Sequence, residues 1–341
     1  MKIAFFTKQL PSDEPNGVSV QVHRLAEALT SLGHHVVCFS FSPKPAGAKY
    51  EHCLLQWGGG GAVYKKFAPG LMFRKIDTEG FDILHYHGDD YLCTGAHNRV
   101  RTFYGSALFE AIHSSKVKRF LYQSLFYVFE LASCMRKGTK VGISQNTCRV
   151  LPFVRTDIPC SVPLGLYAPG KRKSETPSIL FVGGINNRKR GHLVLEAFQR
   201  EILPVHPDCV LYVVGPENCS GTNVIYEGKL TQIELVSLFQ KCWVYCMTSS
   251  YEGFGVPAIE AMACGSSVVA VRNPGVLEII RDKVNGMLCS DHDFGRKVNE
   301  VIADRGLRST LVHNGLEAVK RYDSEKVARE YEKVYFEILK S

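Results

Sequence analysis

Apolar residues recur along the chain with two alternating periods. Short apolar runs at Met1–Thr7, Val36–Phe41, Phe81–His87 and Val141–Ser144 predict buried strands. Between the first two, Val18, Val22, Leu25, Ala26, Leu29 and Leu32 fall on one helical face, and Gly33 stops the helix. Val117–Met135 predicts a long aromatic helix. The stretch Tyr167–Pro177, rich in Gly, Pro, Lys and Ser, interrupts the series. A second series then begins, with strands predicted at Ser178–Gly183, Val210–Gly215, Trp243–Met247 and Ser267–Val271. Helices are predicted at Gly191–Phe198, Thr231–Lys241 and Val256–Ala263. Strands alternating with helices imply parallel sheets, and the restart implies two α/β domains, each doubly wound. The boundaries read as residues 1–165 and 166–322. Ligands of such sheets bind beyond the C-terminal strand ends, so facing domains would share one cleft.

Composition supports a folded chain without a membrane span. Among 341 residues, 45% are apolar and 22% charged, and no apolar run reaches the length a bilayer requires. Met1–Lys8 holds four apolar residues between two lysines, too short a core for a signal peptide, and a cytoplasmic location is expected. The twelve cysteines are scattered without a Cys-x-x-Cys pair, which predicts reduced, mostly buried thiols. Of the net charge of +8, residues 1–165 carry +7. A basic first half suits an acidic partner or an anionic surface, and equally a solvated face.

Three segments could carry chemistry. The first is Ser249–Gly265, which follows a strand. Gly253 and Gly255 flank Phe254, Pro257 starts a helix, and the carboxylates Glu252 and Glu260 stand eight positions apart. This arrangement offers backbone N–H groups to an anion or hydroxyl, and carboxylates to vicinal hydroxyls. The second is Gly183–Gly191, where Arg188, Lys189 and Arg190 precede a helix. Three cations there oppose the helix dipole, a conflict that a bound diphosphate would relieve. The third is the loop Pro11–Ser19, where Gly17 permits close backbone approach and Asn16 or Ser19 can cap.

With these residues in hand, the chain resembles the family 4 glycosyltransferases, retaining enzymes of the GT-B fold built from two Rossmann-like domains. The Glu252-x7-Glu260 stretch carries the resemblance. Gly228–Leu230, Pro274–Ile280, Asn285-Gly286, Asp82–His87, Asn16-Gly17 and Gly33–Val36 support it. It implies that Glu252 lies beside the reacting sugar and that Glu260 binds the donor ribose. It also implies that the backbone of Phe254, Gly255 and Val256 holds sugar hydroxyls or phosphate. Arg190 with Lys189 would bind the diphosphate and stabilise the leaving group, and Gly17 would approach it. The final helix, within 323–341, would return to the first domain. The pattern is departed from at three places. Gly184 or Ile185 stands where the family has an arginine, which Arg188 can replace; one glycine stands in the first loop; and Tyr104 replaces a histidine.

No metal site is expected. Asp89-Asp90 is not a spaced aspartate pair, and His85 and His87 are expected on opposite sides of a strand, one packing and the other, His87, lining the cleft. The helix at 117–135 is read as a core helix with charged ends rather than a membrane-surface element. The resulting expectation is a metal-independent, retaining transfer from a nucleotide-sugar to a sugar, glycoconjugate or natural-product acceptor, with no separate cofactor and no nucleic-acid partner. A nucleotide-sugar epimerase or hydrolase, and a catalytically weakened sugar-nucleotide-binding relative, stay open as alternatives.

Overall fold

The computed structural model describes residues 1–12, 16–59, 61, 64–93, 98–113 and 117–340. Asp13, Glu14 and Pro15 of the first loop, and Lys116, lie outside the described residues. The chain divides into two compact units, one formed by Met1–Ser161 with Tyr322–Ser341 and the other by Val162–Arg321.

The first unit runs β1 (Lys2–Phe6), α1 (Gly17–Ser31), β2 (His35–Ser40), β3 (Glu51–Leu54), α2 (Tyr64–Phe73), β4 (Ile83–Tyr86), β5 (Arg99–Phe103), α3 (Ala107–Ile112), α4 (Val117–Cys134), β6 (Thr139–Gly142), α5 (Gln145–Val150) and β7 (Thr156–Asp157). Among the described residues the sheet has the order β3-β2-β1-β4-β5-β6-β7, all parallel. From Ile3 to Phe6 β1 is apolar because both its faces are covered. Ile3 and Phe5 join the core beneath α1, while Ala4 and Phe6 join a second core with Phe39, Phe73 and Tyr86. The order reverses between β1 and β4, which places the loops after those strands at the switch point of the sheet.

The second unit runs β8 (Ser178–Val182), α6 (Gly191–Ala197), β9 (Val210–Val214), β10 (Val224–Gly228), α7 (Gln232–Lys241), β11 (Val244–Met247), α8 (Val256–Ala263), β12 (Ser267–Val271), α9 (Pro274–Leu277), β13 (Met287–Cys289), α10 (Phe294–Ala303) and α11 (Arg305–Val319). Its described strands follow the order β10-β9-β8-β11-β12-β13, again all parallel, and the switch point lies between β8 and β11. The last helix, α12 (Ser324–Lys340), buries Val327, Ala328, Tyr331 and Tyr335 in the core beneath α1.

Two sequence expectations are corrected here. His85 and His87 do not face opposite sides. Alternate residues of an extended strand share a face, and their ring centroids lie 4.0 Å apart. His85 packs, with Nδ1 2.7 Å from the Tyr335 hydroxyl and Nε2 2.8 Å from Thr102 Oγ1. The α4 segment is not a core helix either. Phe126 and Phe129 face inward against Phe67, but Leu121 and Val128 are 63% and 57% exposed. The helix is apolar on both sides, and the fold covers only one.

β5 was not anticipated, because Arg99 and Arg101 break up its apolar run. Both are drawn inside by Asp90, which pairs with the Arg99 guanidinium, lies 3.2 Å from Arg101 Nε and accepts a 2.7 Å bond from Ser133 Oγ. All twelve cysteines are free and nine are buried. Among the described residues no helix is long and apolar enough to cross a membrane.

Candidate active site

The chemistry-bearing residues of the second unit gather beyond β8 and β11, at its switch point. The loop after β8 turns back at Gly183, where an added Cβ would lie 2.7 Å from Lys189 Cβ. At Gly184 an added Cβ would run into the Asn187 amide, which would have to move aside for any side chain there. Arg190 caps α6 in the left-handed conformation, with φ 54° and ψ 46°. The loop after β11 clasps this turn: Thr248 Oγ1 donates to the carbonyls of Lys189 and Arg190 at 2.8 and 3.0 Å, and Ser250 N donates to Arg188 O at 2.9 Å.

Glu252, only 7% exposed, receives two of the three cations. Lys189 Nζ donates to Oε1 at 2.6 Å, and Arg188 Nη1 lies 3.1 Å from Oε2 while donating to Tyr251 O at 2.8 Å. Burial by itself would raise the Glu252 carboxyl, but Lys189 and then Arg188 outweigh it and hold the group at about 2. It is therefore ionised at neutral pH and can accept hydrogen bonds but not donate a proton. Its ordinary value is 4.5, so its contribution to stability is present above that pH and disappears as pH falls through about 2. Two cations against one carboxylate leave this cluster with a net positive charge.

Arg190 points elsewhere. Its Nη1 and Nη2 donate to the Asp291 carboxylate at 2.8 and 2.9 Å, and Nε donates to Thr248 O at 2.6 Å. Gly255 caps α8 with φ 104°, a conformation that favours glycine, and Pro257 occupies the first turn. Phe254 is buried, so only its backbone can serve a ligand, whereas Val256 is partly exposed. Glu260 lies on α8 and is also buried.

Sequence reasoning missed four participants. Asp291 follows β13, a three-residue strand too short to stand out. Glu217 accepts from the backbone N–H groups of Ile185 and Asn186 at 2.5 and 3.0 Å, and the Gly215-Pro216-Glu217 strand end was a legible signal. Thr248 stood just beyond the predicted strand Trp243–Met247 and was not singled out. Asn273 caps α9 and donates to Ser249 O at 3.1 Å. Beside it, an added Cβ on Gly275 would lie 2.6 Å from Glu252 O. Gly275→Ala is accordingly expected to displace the Glu252 loop and weaken nucleotide binding, read by calorimetric titration, with the far-UV circular dichroism unchanged.

The other candidates belong to the first unit. Gly17 opens α1 behind Asn16, whose side chain accepts from Ser19 N while Ser19 Oγ accepts from Asn16 N. An added Cβ on Gly17 would meet open space, so packing does not explain this glycine. His87 and Tyr104 directly follow β4 and β5, with His87 Nδ1 2.9 Å from the Tyr104 hydroxyl. Burial, then His85 and Arg101, keep His87 neutral. Its Nε2 has no hydrogen-bond partner among the described residues. Burial raises the Tyr104 phenol, which stays protonated and cannot act as a base near neutrality. Among the described residues no three His, Cys, Asp or Glu side chains form a group able to hold a metal.

Two parallel doubly wound sheets, with loops of this kind at the strand ends, define the glycosyltransferase fold termed GT-B. Solved structures agree: sucrose-phosphate synthase from Thermosynechococcus elongatus superposes with a TM-score of 0.80 at 19% identity over 99% of both chains. HepE from Anabaena, solved in complex with UDP-glucose, gives 0.77 at 15% identity over 99% of this chain and all of that one. The sequence profile of glycosyl transferases group 1 matches residues 168–318, and that of glycosyltransferase family 4 matches residues 15–134. An uncharacterized glycosyltransferase of Methanocaldococcus jannaschii is 36% identical over 283 residues, 77% of each chain. The chain belongs to this glycosyltransferase family.

Proposed function

We propose that the enzyme transfers a sugar, with retained anomeric configuration and without a metal, from a nucleoside-diphosphate sugar bound by the second unit to an acceptor presented by the first. The observation that carries this reading is the cationic cluster around Glu252 beyond β8 and β11. Arg188 and Lys189 lie on a single turn, and Arg190 follows them at the start of α6. Such a turn is suited to neutralise the diphosphate as it leaves. Glu260 takes the ribose hydroxyls, and the backbone of Phe254, Gly255 and Val256 takes donor hydroxyls or phosphate. Gly17 leaves room for the diphosphate to approach, and His87 with Tyr104 lines the acceptor side.

The transfer breaks the bond between the anomeric carbon and the leaving phosphate oxygen. The acceptor oxygen bonds the same face of that carbon, and its proton passes to the departing phosphate. No strong protein base is required, consistent with a protonated Tyr104 and a neutral His87. Barrier lowering comes from alignment and from fixed cations at the developing charge.

Thermal-shift screening against UDP-, GDP-, ADP- and dTDP-sugars tests the donor class, since a ligand at about 100 times its Kd stabilises by about 2.7 kcal/mol. Lys189→Met and Arg190→Ala are each expected to weaken nucleoside-diphosphate binding by about 1.5–3 kcal/mol, measured by calorimetry. Unchanged affinity in both variants would remove the diphosphate assignment.

A further inference from the structure

We infer that the outer face of α4 docks on an anionic membrane surface. Val117, Phe120, Leu121, Leu125 and Val128 are 76%, 45%, 63%, 47% and 57% exposed, and Met135, directly after the helix, is 78% exposed. At 3.6 residues per turn these six positions fall within an arc of roughly 140°. They form an apolar stripe along the helix, interrupted by Ser124, whose hydroxyl donates to Phe120 O at 2.9 Å. Packing does not account for it, because the fold uses the opposite side, where Phe126 and Phe129 meet Phe67, Phe129 meets Tyr91 and Cys134 is buried. A stripe of this length exposed to water marks an interaction surface.

Charge selects the occupant. Lys118, exposed, flanks one end of the stripe and Lys137, exposed, the other, whereas Arg136 turns to the packed side and donates to Tyr91 O at 2.8 Å. The acid within the helix, Glu130, is turned inward, where its carboxylate accepts from Ala107 N at 2.9 Å. Glu110, on α3, is held by Arg119 at 2.7 Å. An apolar stripe with cations at both ends suits acyl chains beneath anionic headgroups. It does not suit a second copy of the same helix. An antiparallel copy would set Lys118 against Lys137, and a parallel copy would set each lysine against itself. The excess of positive charge in residues 1–165 extends the same attraction over a wider face.

Sedimentation of the full chain with vesicles tests this. Vesicles of phosphatidylcholine containing about a quarter phosphatidylglycerol should bind the protein at least tenfold more strongly than phosphatidylcholine alone. Raising salt from about 0.1 to about 0.5 M should reverse most of that gain. Leu121→Ser/Leu125→Ser should reduce binding about tenfold or more without shifting the melting temperature, because both positions are exposed. Lys118→Gln and Lys137→Gln should each reduce it about fivefold. The inference is overturned if the wild-type protein shows no preference for anionic vesicles, or if the Leu121→Ser/Leu125→Ser variant binds them undiminished. A concentration-dependent dimer that this variant dissociates, with no vesicle binding, would assign the stripe to a second copy instead.

Discussion

Glu252→Ala is expected to lower kcat about 10²- to 10³-fold while leaving the affinity for free nucleoside diphosphate nearly unchanged. In the proposed complex Glu252 stands beside the reacting sugar, and its interaction strengthens as charge develops in the transition state. Its removal takes nothing from the diphosphate. Lys189 and Arg188, both engaged by Glu252 in this structure, keep their charge and become more available to phosphate. Glu260→Ala should fail differently. A carboxylate on the ribose acts equally in ground and transition states, so its loss should raise the donor KM and weaken free-nucleotide binding at nearly constant kcat. Calorimetric titration with the nucleoside diphosphate, beside steady-state kinetics with the intact donor, separates the two. Normal binding and turnover in both variants would place the active site elsewhere, and exchanged phenotypes would reverse the donor along the motif.

Asp90→Ala should destabilise the first unit by about 3–5 kcal/mol, the usual consequence of removing one partner from a buried charge cluster. Asp90 is fully buried and Arg99 is 3% exposed. Arg99 also donates to Cys93 O at 2.8 Å and Asp90 O at 3.1 Å, so it cannot swing into solvent without releasing β5. Burial favours the protonated Asp90 carboxyl, but Arg101 and Arg99, with the Ser133 hydrogen bond, hold it below its ordinary value of 3.8. The charged cluster therefore stabilises above that pH, and the contribution is lost as pH falls through the lowered value. Denaturant midpoints at neutral pH should show the loss, and Asp90→Asn, which keeps a hydrogen-bonding oxygen for Ser133, should recover part of it. A midpoint within about 0.5 kcal/mol of wild type would mean that the two arginines find other partners.

Much of the fold was legible because the sheets are parallel and buried on both faces. Ile3–Phe6, Ile179–Val182 and Val268–Val271 are apolar throughout, and amphipathic helices such as α1 alternate with them. The strands that escaped detection lack that signal. β3 is exposed along most of its length, β7 and β13 span two and three residues, β10 is only partly buried, and β5 contains two arginines whose burial depends on a carboxylate nine and eleven positions earlier. The candidate site was legible as segments, since glycine loops, a capping proline and a run of cations are local features.

Which cation meets which carboxylate was decided only by the tertiary structure. Arg188 and Lys189 turn to Glu252 while Arg190 turns to Asp291, because its left-handed backbone sends the third side chain in another direction. The histidines show the same division. Their spacing of two on a strand already fixed them to one face, but only the fold brought Tyr335 from α12 to His85 and Tyr104 from the end of β5 to His87. For α4, the composition established an apolar circumference; which side is covered depended on Phe67 and Tyr91. Periodicity and turn chemistry are written in neighbouring residues, and so the sequence by itself determined the two doubly wound units and the loops that end their strands. Partners separated by tens or hundreds of residues become neighbours only through the sheet order, so the ion pairs, the buried charges and the exposed face of α4 were decided by the tertiary structure.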